Sequence, residues 1–423
     1  MRICIVGPIA TCDVRHLLHD HDVPAPDGYG GAPLTAVLIG ELLALGCEVV
    51  GITVDYRIGH RADPVVLRGP RFEFQVLGGR RRAWRFNGVL PGRALDLFRL
   101  ERQRLAAAIR AAKPDVVHAH WTYEFALGAI DSGIVHVITA HDSPLKILKF
   151  TCSPYRALRL LMAREALRKA TYLTAVSDHI AVEVSGLATV AAEVVPNPLA
   201  QQVISLGGPR AVVPQLRRIA MVCNGWGRLK NPQPALLAFA AYRANWPLAE
   251  LHMFGANFGP NEAAQRWVKR HGMGGGMYFH GALTHGQLIE HLATMDVLLH
   301  PALEESFGVV LAEAMALGLP VVAGSSSGAV PWVVGASRQG CSDCAILVDV
   351  RDPHAIATAL IEVFDVGYPA RSRAGIALAR IRYSASDVAK TYLGIYGVAI
   401  RRLAKSGPFQ DVGATSPRSQ ERG

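Results

Sequence analysis

Apolar and polar positions along the 423 residues alternate between two periods. Short β-branched runs bounded by Gly, Pro or polar clusters read as buried strands, and the longer stretches between them repeat apolar residues at helical spacing. In the first half, strands are predicted over 3–6, 48–54, 115–118, 135–139 and 172–176. A helix is predicted over 33–45, with Pro33 in its first turn and Gly46 as its stop. The pattern lapses over 200–217, where Gln201-Gln202, Gly207-Gly208-Pro209 and Pro214 have the composition of a connection. It resumes with strands over 218–223, 250–254, 277–280, 296–300, 320–323 and 345–348, and with helices over 232–243 and 285–294. Such alternation predicts an α/β chain of two doubly wound parallel sheets, divided as 1–205 and 206–385. A last helix over 386–405 is expected to pack back toward the first unit, and the polar, breaker-rich 406–423 reads as a disordered tail.

Composition narrows the class. Half the residues are apolar, yet charges interrupt every apolar stretch before the ~18 residues that a membrane span requires. Met1-Arg2-Ile3-Cys4-Ile5 runs straight into the first strand without the features of a secretory leader, so a cytoplasmic protein is expected. Seven scattered cysteines argue for reduced thiols, and Cys341-x-x-Cys344 has no second ligand pair nearby to complete a zinc site. The formal charge of +10 is concentrated in 57–113. There Arg80, Arg81, Arg82 and Arg85 surround Trp84, which suits peripheral contact of 80–85 with an anionic membrane at its inner face, or a plain solvated face. No zinc finger, RNA-binding sheet motif or basic zipper accompanies the charge, so nucleic acid is not an expected partner.

Open parallel sheets bind ligands beyond the carboxyl ends of their strands, and the chemistry-bearing residues fall there. The segment Leu298 to Met315 follows a strand and opens a helix, with Glu305 in the loop and Glu313 within the helix. Amides near Phe307 to Val310 at that helix start form an anion site. Asn224 to Pro232 follows the first strand of the second series and places the cations Arg228 and Lys230 in the loop after it. In the first half, Gly30-Gly31 precedes the 33–45 helix, while His118 and His120, and then His141 with Asp142, stand at two strand ends. The first strand is not followed by a G-x-G-x-x-G, which counts against a nicotinamide or flavin cofactor.

Pro301 to Met315, with Tyr278 to Leu283 before it and Ala345 to Pro353 after it, resembles the E-x7-E region of the family 4 retaining glycosyltransferases. The resemblance covers about residues 1–400 and implies a GT-B fold, two Rossmann-like domains facing across a cleft. It implies transfer of a hexose-type sugar, with retention, from a UDP- or GDP-sugar to a glycan, lipid-linked or small-molecule acceptor. By resemblance, Glu305 holds hydroxyls of the donor sugar and Glu313 the ribose. The residues Ser306, Phe307, Gly308, Val309 and Val310 approach the sugar and diphosphate, with Gly30 and Gly31 opposite. Lys230 clamps the diphosphate; the family usually places its Arg about five residues before that Lys, whereas this chain has Gly225 there and Arg228 only two before it. His120, the second His of an H-x-H, is associated with the reacting sugar, and His118, His141 and Asp142 border the acceptor. The family needs no metal and no cofactor. Rival readings are a nucleotide-sugar epimerase of the same fold and a non-catalytic sugar-nucleotide-binding protein.

Overall fold

The computed structural model describes residues 1–19 and 24–406. The expected disordered tail over 407–423 lies outside the described residues. The first sheet is built from β1 (Arg2–Val6), β2 (Glu48–Asp55), β3 (Val65–Gly69), β4 (Phe72–Gly78), β5 (Val116–His120), β6 (His136–Ala140), β7 (Leu173–Ala175) and β8 (Ala192–Val194). Their spatial order is β3-β4-β2-β1-β5-β6-β7-β8, with every pairing parallel except β3 with β4. The second sheet contains β9 (Arg218–Val222), β10 (Glu250–Phe254), β11 (Met277–Gly281), β12 (Val297–His300), β13 (Val321–Gly324) and β14 (Ala345–Val348), all parallel, in the order β11-β10-β9-β12-β13-β14.

In each sheet the strand order reverses once, between β1 and β5 and between β9 and β12. At such a reversal the following loops diverge and leave a crevice at the carboxyl ends, so these two points are where a ligand fits. Val, Ile and Leu fill both faces of the central strands because helices cover both sides. The helix Pro33–Ala44 starts on proline, whose missing N–H costs nothing in the first turn, and its Ile39 and Leu42 pack with Ile3 and Ile5 of β1. The C-terminal helix Ala385–Ser406 lies over the same face of the first sheet, burying Val388, Tyr392, Ile395 and Tyr396 in that cluster.

Two features differ from the sequence reading. First, the basic segment 57–113 contains the β3–β4 hairpin and the helix Arg99–Ala112. The exposed–intermediate alternation of Val65 to Gly69 marks an edge strand whose Arg68 faces solvent, a pattern easily taken for a loop. Second, Arg80 is not part of a solvated face. Its side chain is 0% exposed and its guanidinium is held by Asp96 at 2.8 Å and Glu101 at 2.6 Å. A buried guanidinium keeps its charge only when its donors are paired, and here two carboxylates do this. Arg80 thus belongs to the folded core of that loop, which corrects its assignment to a membrane-contacting face.

Candidate functional site

The two strand-order reversals face each other across a cavity of about 400 Å³. Its first wall comes from Pro8 after β1, the start of the Pro33 helix (Gly31, Ala32, Leu34, Thr35), His120 and Trp121 at the end of β5, His141 after β6, and Asn197. Its second wall is Asn224 after β9 and the run Glu305, Ser306, Phe307, Gly308 and Val309 after β12. Of the residues expected at the site, Gly31, His120, His141, Glu305, Ser306, Phe307, Gly308 and Val309 line this one space.

Glu305 is the charged centre of the second wall. Its Oε1 accepts from Lys230 Nζ at 2.5 Å and lies 3.4 Å from His300 Nε2. Burial alone would raise its pKa, but the His300 ring and the Lys230 ammonium outweigh burial and hold it at about 2. The same pairing raises Lys230 against the opposing effect of its own burial. Both groups are therefore charged at any physiological pH. Three residues beyond Glu305, Gly308 caps the helix Val309–Ala316 in the left-handed region at φ +76°. The first-turn amides of Val309 and Val310 have no acceptor within the helix, and Gly308 and Val309 at this helix start line the cavity. The start of the Pro33 helix opens on it from the other side, so two helix N-termini converge where an anion would lie.

On the first wall, His120 is 2% exposed and His141 Nε2 lies 2.8 Å from its Nδ1. Burial, reinforced by the two neighbouring histidines, lowers the His120 pKa far below the ordinary imidazole range, and burial holds His141 at about 3. These rings are neutral. His120 Nε2 is buried without a hydrogen-bond partner, as is Thr35 Oγ1, and both residues line the cavity. Both atoms can therefore form a hydrogen bond with a polar group placed in the cavity. Trp121 adopts φ +67°, an uncommon conformation for a bulky residue, at the point where the chain leaves β5 for the cavity.

Other expected residues lie elsewhere. His118 is fully buried: Tyr396 of the C-terminal helix bonds its Nδ1 and Thr139 its Nε2, each at 2.7 Å. Its ring centroid lies 4.2 Å from that of His120, so it buttresses His120 from beneath and does not border the cavity. Asp142 accepts from Tyr123 at 2.9 Å and is raised by burial. Glu313 lines an adjoining cavity of about 360 Å³ with Pro33, Leu34, Val309 and His285, and its Oε1 is 2.6 Å from His285 Nε2. Arg228 is exposed and, among the described residues, has no ion pair. Gly30 stands beside Gly31 without lining the cavity, and Val310 follows Val309 into the helix. Among the described residues, no three His, Cys, Asp or Glu side chains gather as a metal site, and no helix is long and apolar enough to cross a membrane.

The sequence reading passed over His300, His285, Thr35, Asn197 and Glu304. His300 ends β12 as His120 ends β5, so the strand-end rule that found one applied to the other. Glu304, next to Glu305, is bonded by His179 Nε2 at 2.5 Å and Lys146 Nζ at 3.3 Å, and Ser177 Oγ donates to the Ser306 carbonyl at 2.7 Å. These contacts tie the Glu305 loop to the first half of the chain, and their partners are distant in sequence.

Two α/β sheets presenting their strand-order reversals to a shared cavity define the GT-B class of two-domain α/β proteins. A profile for glycosyl transferases group 1 matches residues 217–365, and one for glycosyltransferase family 4 matches 30–200. The chain belongs to this glycosyltransferase family. The D-inositol 3-phosphate glycosyltransferase of Xylanimonas cellulosilytica is 36% identical over 124 residues, which is 29% of this chain and 28% of that protein. The protein of the same name from Acidothermus cellulolyticus is 32% identical over 120 residues, 28% of this chain and 25% of that one. The matched segment thus spans about a quarter of either curated relative. Among solved structures, sucrose-phosphate synthase from Thermosynechococcus elongatus superposes with a TM-score of 0.68 at 19% identity, covering 96% of this chain and all of that one. Anabaena HepE in complex with UDP gives 0.65 at 16%, covering 94% of this chain and 100% of that one. At these identities the likeness establishes the fold.

Proposed function

We propose that the protein transfers a hexose-type sugar, with retention of anomeric configuration, from a UDP- or GDP-sugar to a hydroxyl of a glycan, lipid-linked or small-molecule acceptor. The observation that carries this reading is the Lys230–Glu305 pair, joined at 2.5 Å beneath the Val309 helix start and facing the orphaned His120 Nε2 across the cavity.

A nucleotide sugar is an extended dianion with a polar sugar at one end. In this reading its diphosphate lies between the two helix N-termini, where fixed amides and the Lys230 ammonium meet the charge that grows as the anomeric bond breaks. Glu305 accepts from the sugar hydroxyls and, kept ionised, favours the positive charge developing on the ring. Its Oε1 is engaged by Lys230, which ties it to the cation and leaves it poorly placed as a covalent nucleophile. We therefore favour attack by the acceptor on the face from which the diphosphate departs, the leaving phosphate oxygen taking the acceptor proton. His120 Nε2 meets the reacting sugar, and Glu313 in the adjoining cavity meets the ribose. The UDP complex of HepE, a protein of the same fold, supports placing a uridine nucleotide here. We assign no metal or cofactor to this site; Lys230 and the amides supply the positive charge.

A ligand that binds only the folded state raises its melting temperature by mass action, about 2.7 kcal/mol of stabilisation at a hundred times Kd. A thermal-shift screen of UDP- and GDP-sugars should raise the transition for at least one donor, less so in Lys230→Met. Absence of a shift with every nucleotide sugar at millimolar concentration would reject the reading.

A further inference from the structure

The arginines of 57–113 differ in their partners. Arg57, Arg68, Arg80 and Arg102 are bound to carboxylates, and Arg93 and Arg104 are bound to backbone carbonyls. Arg61, in the loop between β2 and β3, and Arg81, Arg82 and Arg85, in the loop after β4, have no carboxylate partner among the described residues; Arg82 donates to the Phe86 carbonyl at 3.4 Å. Three of these four converge. A cavity of about 320 Å³ is lined by Arg61, Arg81 and Arg82 together with His60, Phe86 and Asn87.

The loop that forms this cavity is held in shape. Asn87 Oδ1 accepts from the Arg82 amide at 2.9 Å, and Asn87 Nδ2 donates to the Arg82 carbonyl at 3.1 Å and the Arg85 carbonyl at 3.2 Å. Arg93 donates to the Arg80 carbonyl at 2.7 Å from the other side, and the buried Arg80 pins the loop's base. The same loop exposes large apolar side chains: Trp84 is 44% exposed, Phe86 62% and Val89 90%. Bulky apolar side chains grouped on one exposed loop beside cations without carboxylate partners mark an interaction site more than isolated surface hydrophobics do. A bilayer interface rewards both: aromatic rings sit at headgroup level, and guanidinium groups meet anionic lipids.

We propose that this loop is a membrane-docking site, in which Arg61, Arg81 and Arg82 take the phosphate of an anionic lipid headgroup while Trp84, Phe86 and Val89 enter the interface. It stands on this surface alone and does not require the sugar-transfer reading. Phosphate is the shared chemistry of a lipid headgroup and a free anion, and the apolar rim favours the lipid.

Sedimentation of the full chain with vesicles tests it, comparing pure phosphatidylcholine with a mixture containing phosphatidylglycerol. Wild type should bind the mixed vesicles, less so as salt rises, and the neutral vesicles weakly. The R81S/R82S variant should bind the mixed vesicles roughly 30-fold more weakly, about fivefold per arginine near an anionic surface. The W84S/F86S variant should lose binding to both vesicle types. Melting temperature and UDP affinity serve as controls for folding and for the separate donor site, and neither should change. Failure of wild type to bind mixed vesicles overturns the proposal, as does equal binding by wild type and both variants. Protection of the loop by inorganic phosphate in the absence of any vesicle binding overturns it in favour of a soluble anion.

Discussion

Lys230 Nζ and Glu305 Oε1, 75 residues apart in sequence, meet at 2.5 Å and so join the loop after β9 to the loop after β12. These strands are neighbours at the order reversal of the second sheet, so the pair is a product of topology. Replacing Lys230 by Met leaves a carboxylate that is only 15% exposed without its ammonium partner, which should cost more than the ~0–1 kcal/mol of a surface pair and less than the ~3–5 kcal/mol of a fully buried one. Replacing both, as Lys230→Met with Glu305→Gln, should recover part of that loss. Equal and additive losses in a double-mutant cycle by urea unfolding would show that the two groups do not interact.

Function should separate the two residues. Glu305→Gln keeps shape and removes charge from the group assigned to the sugar, so turnover should fall about 10²–10³-fold with donor affinity little changed. Lys230→Met should weaken binding of free UDP or GDP by about 1.5–3 kcal/mol, measured by calorimetry. Unaltered affinity would remove Lys230 from the diphosphate site.

The acid limb of stability carries the signature of Glu305. Its folded pKa is depressed to about 2, so its contribution is fully present above the ordinary carboxylate value and is lost as pH falls toward 2. Wild type should lose stability between about pH 4.3 and 2, whereas Glu305→Gln should show a shallower decline across that window. Parallel slopes in urea titrations at pH 5, 4 and 3 would contradict the assignment.

His285 reports on Glu313. The Glu313 hydrogen bond raises the His285 pKa despite its partial burial, so this stabilising bond is fully present below about 6.5 and is lost as pH rises through the folded value. A nucleotide whose ribose engages Glu313 competes for the same carboxylate. In an NMR titration the His285 pKa should therefore move down toward its ordinary value when UDP is added. An unmoved pKa at saturating UDP would place the ribose elsewhere.

Gly328 tests how tightly the Glu305 loop is packed. A Cβ at Gly328 would lie 2.5 Å from the Glu305 carbonyl and 2.6 Å from Glu304 Oε1, on backbone with φ +62°. Gly328→Ala should destabilise by at least the ~1–2 kcal/mol of the left-handed conformation and displace the loop, lowering turnover as well. Full stability and activity would show that the loop gives way freely.

Much of this was legible in the chain because local pattern and function coincide there. Strands 250–254 and 345–348 were read to the residue, and the E-x7-E run lay on a loop and helix start as expected. What was hidden depends on contacts remote in sequence. His118 looks like a second cleft histidine until the C-terminal helix delivers Tyr396 to it, 278 residues away. Arg80 looks like its exposed neighbours until Glu101 and Asp96 fold over it. The β3–β4 hairpin is obscured by the short edge strand, where Arg68 and Gly69 break the apolar run.

The central claim, sugar transfer with retention, is tested most directly by proton NMR of a nucleotide hexose with an α-linked sugar, incubated with enzyme and no acceptor. Water then takes the acceptor's place. The account predicts slow release of the nucleoside diphosphate, with the α-anomer of the free sugar appearing first and release by Glu305→Gln slower by about 10²–10³-fold. Appearance of the β-anomer first, or equal release by wild type and Glu305→Gln, would contradict it.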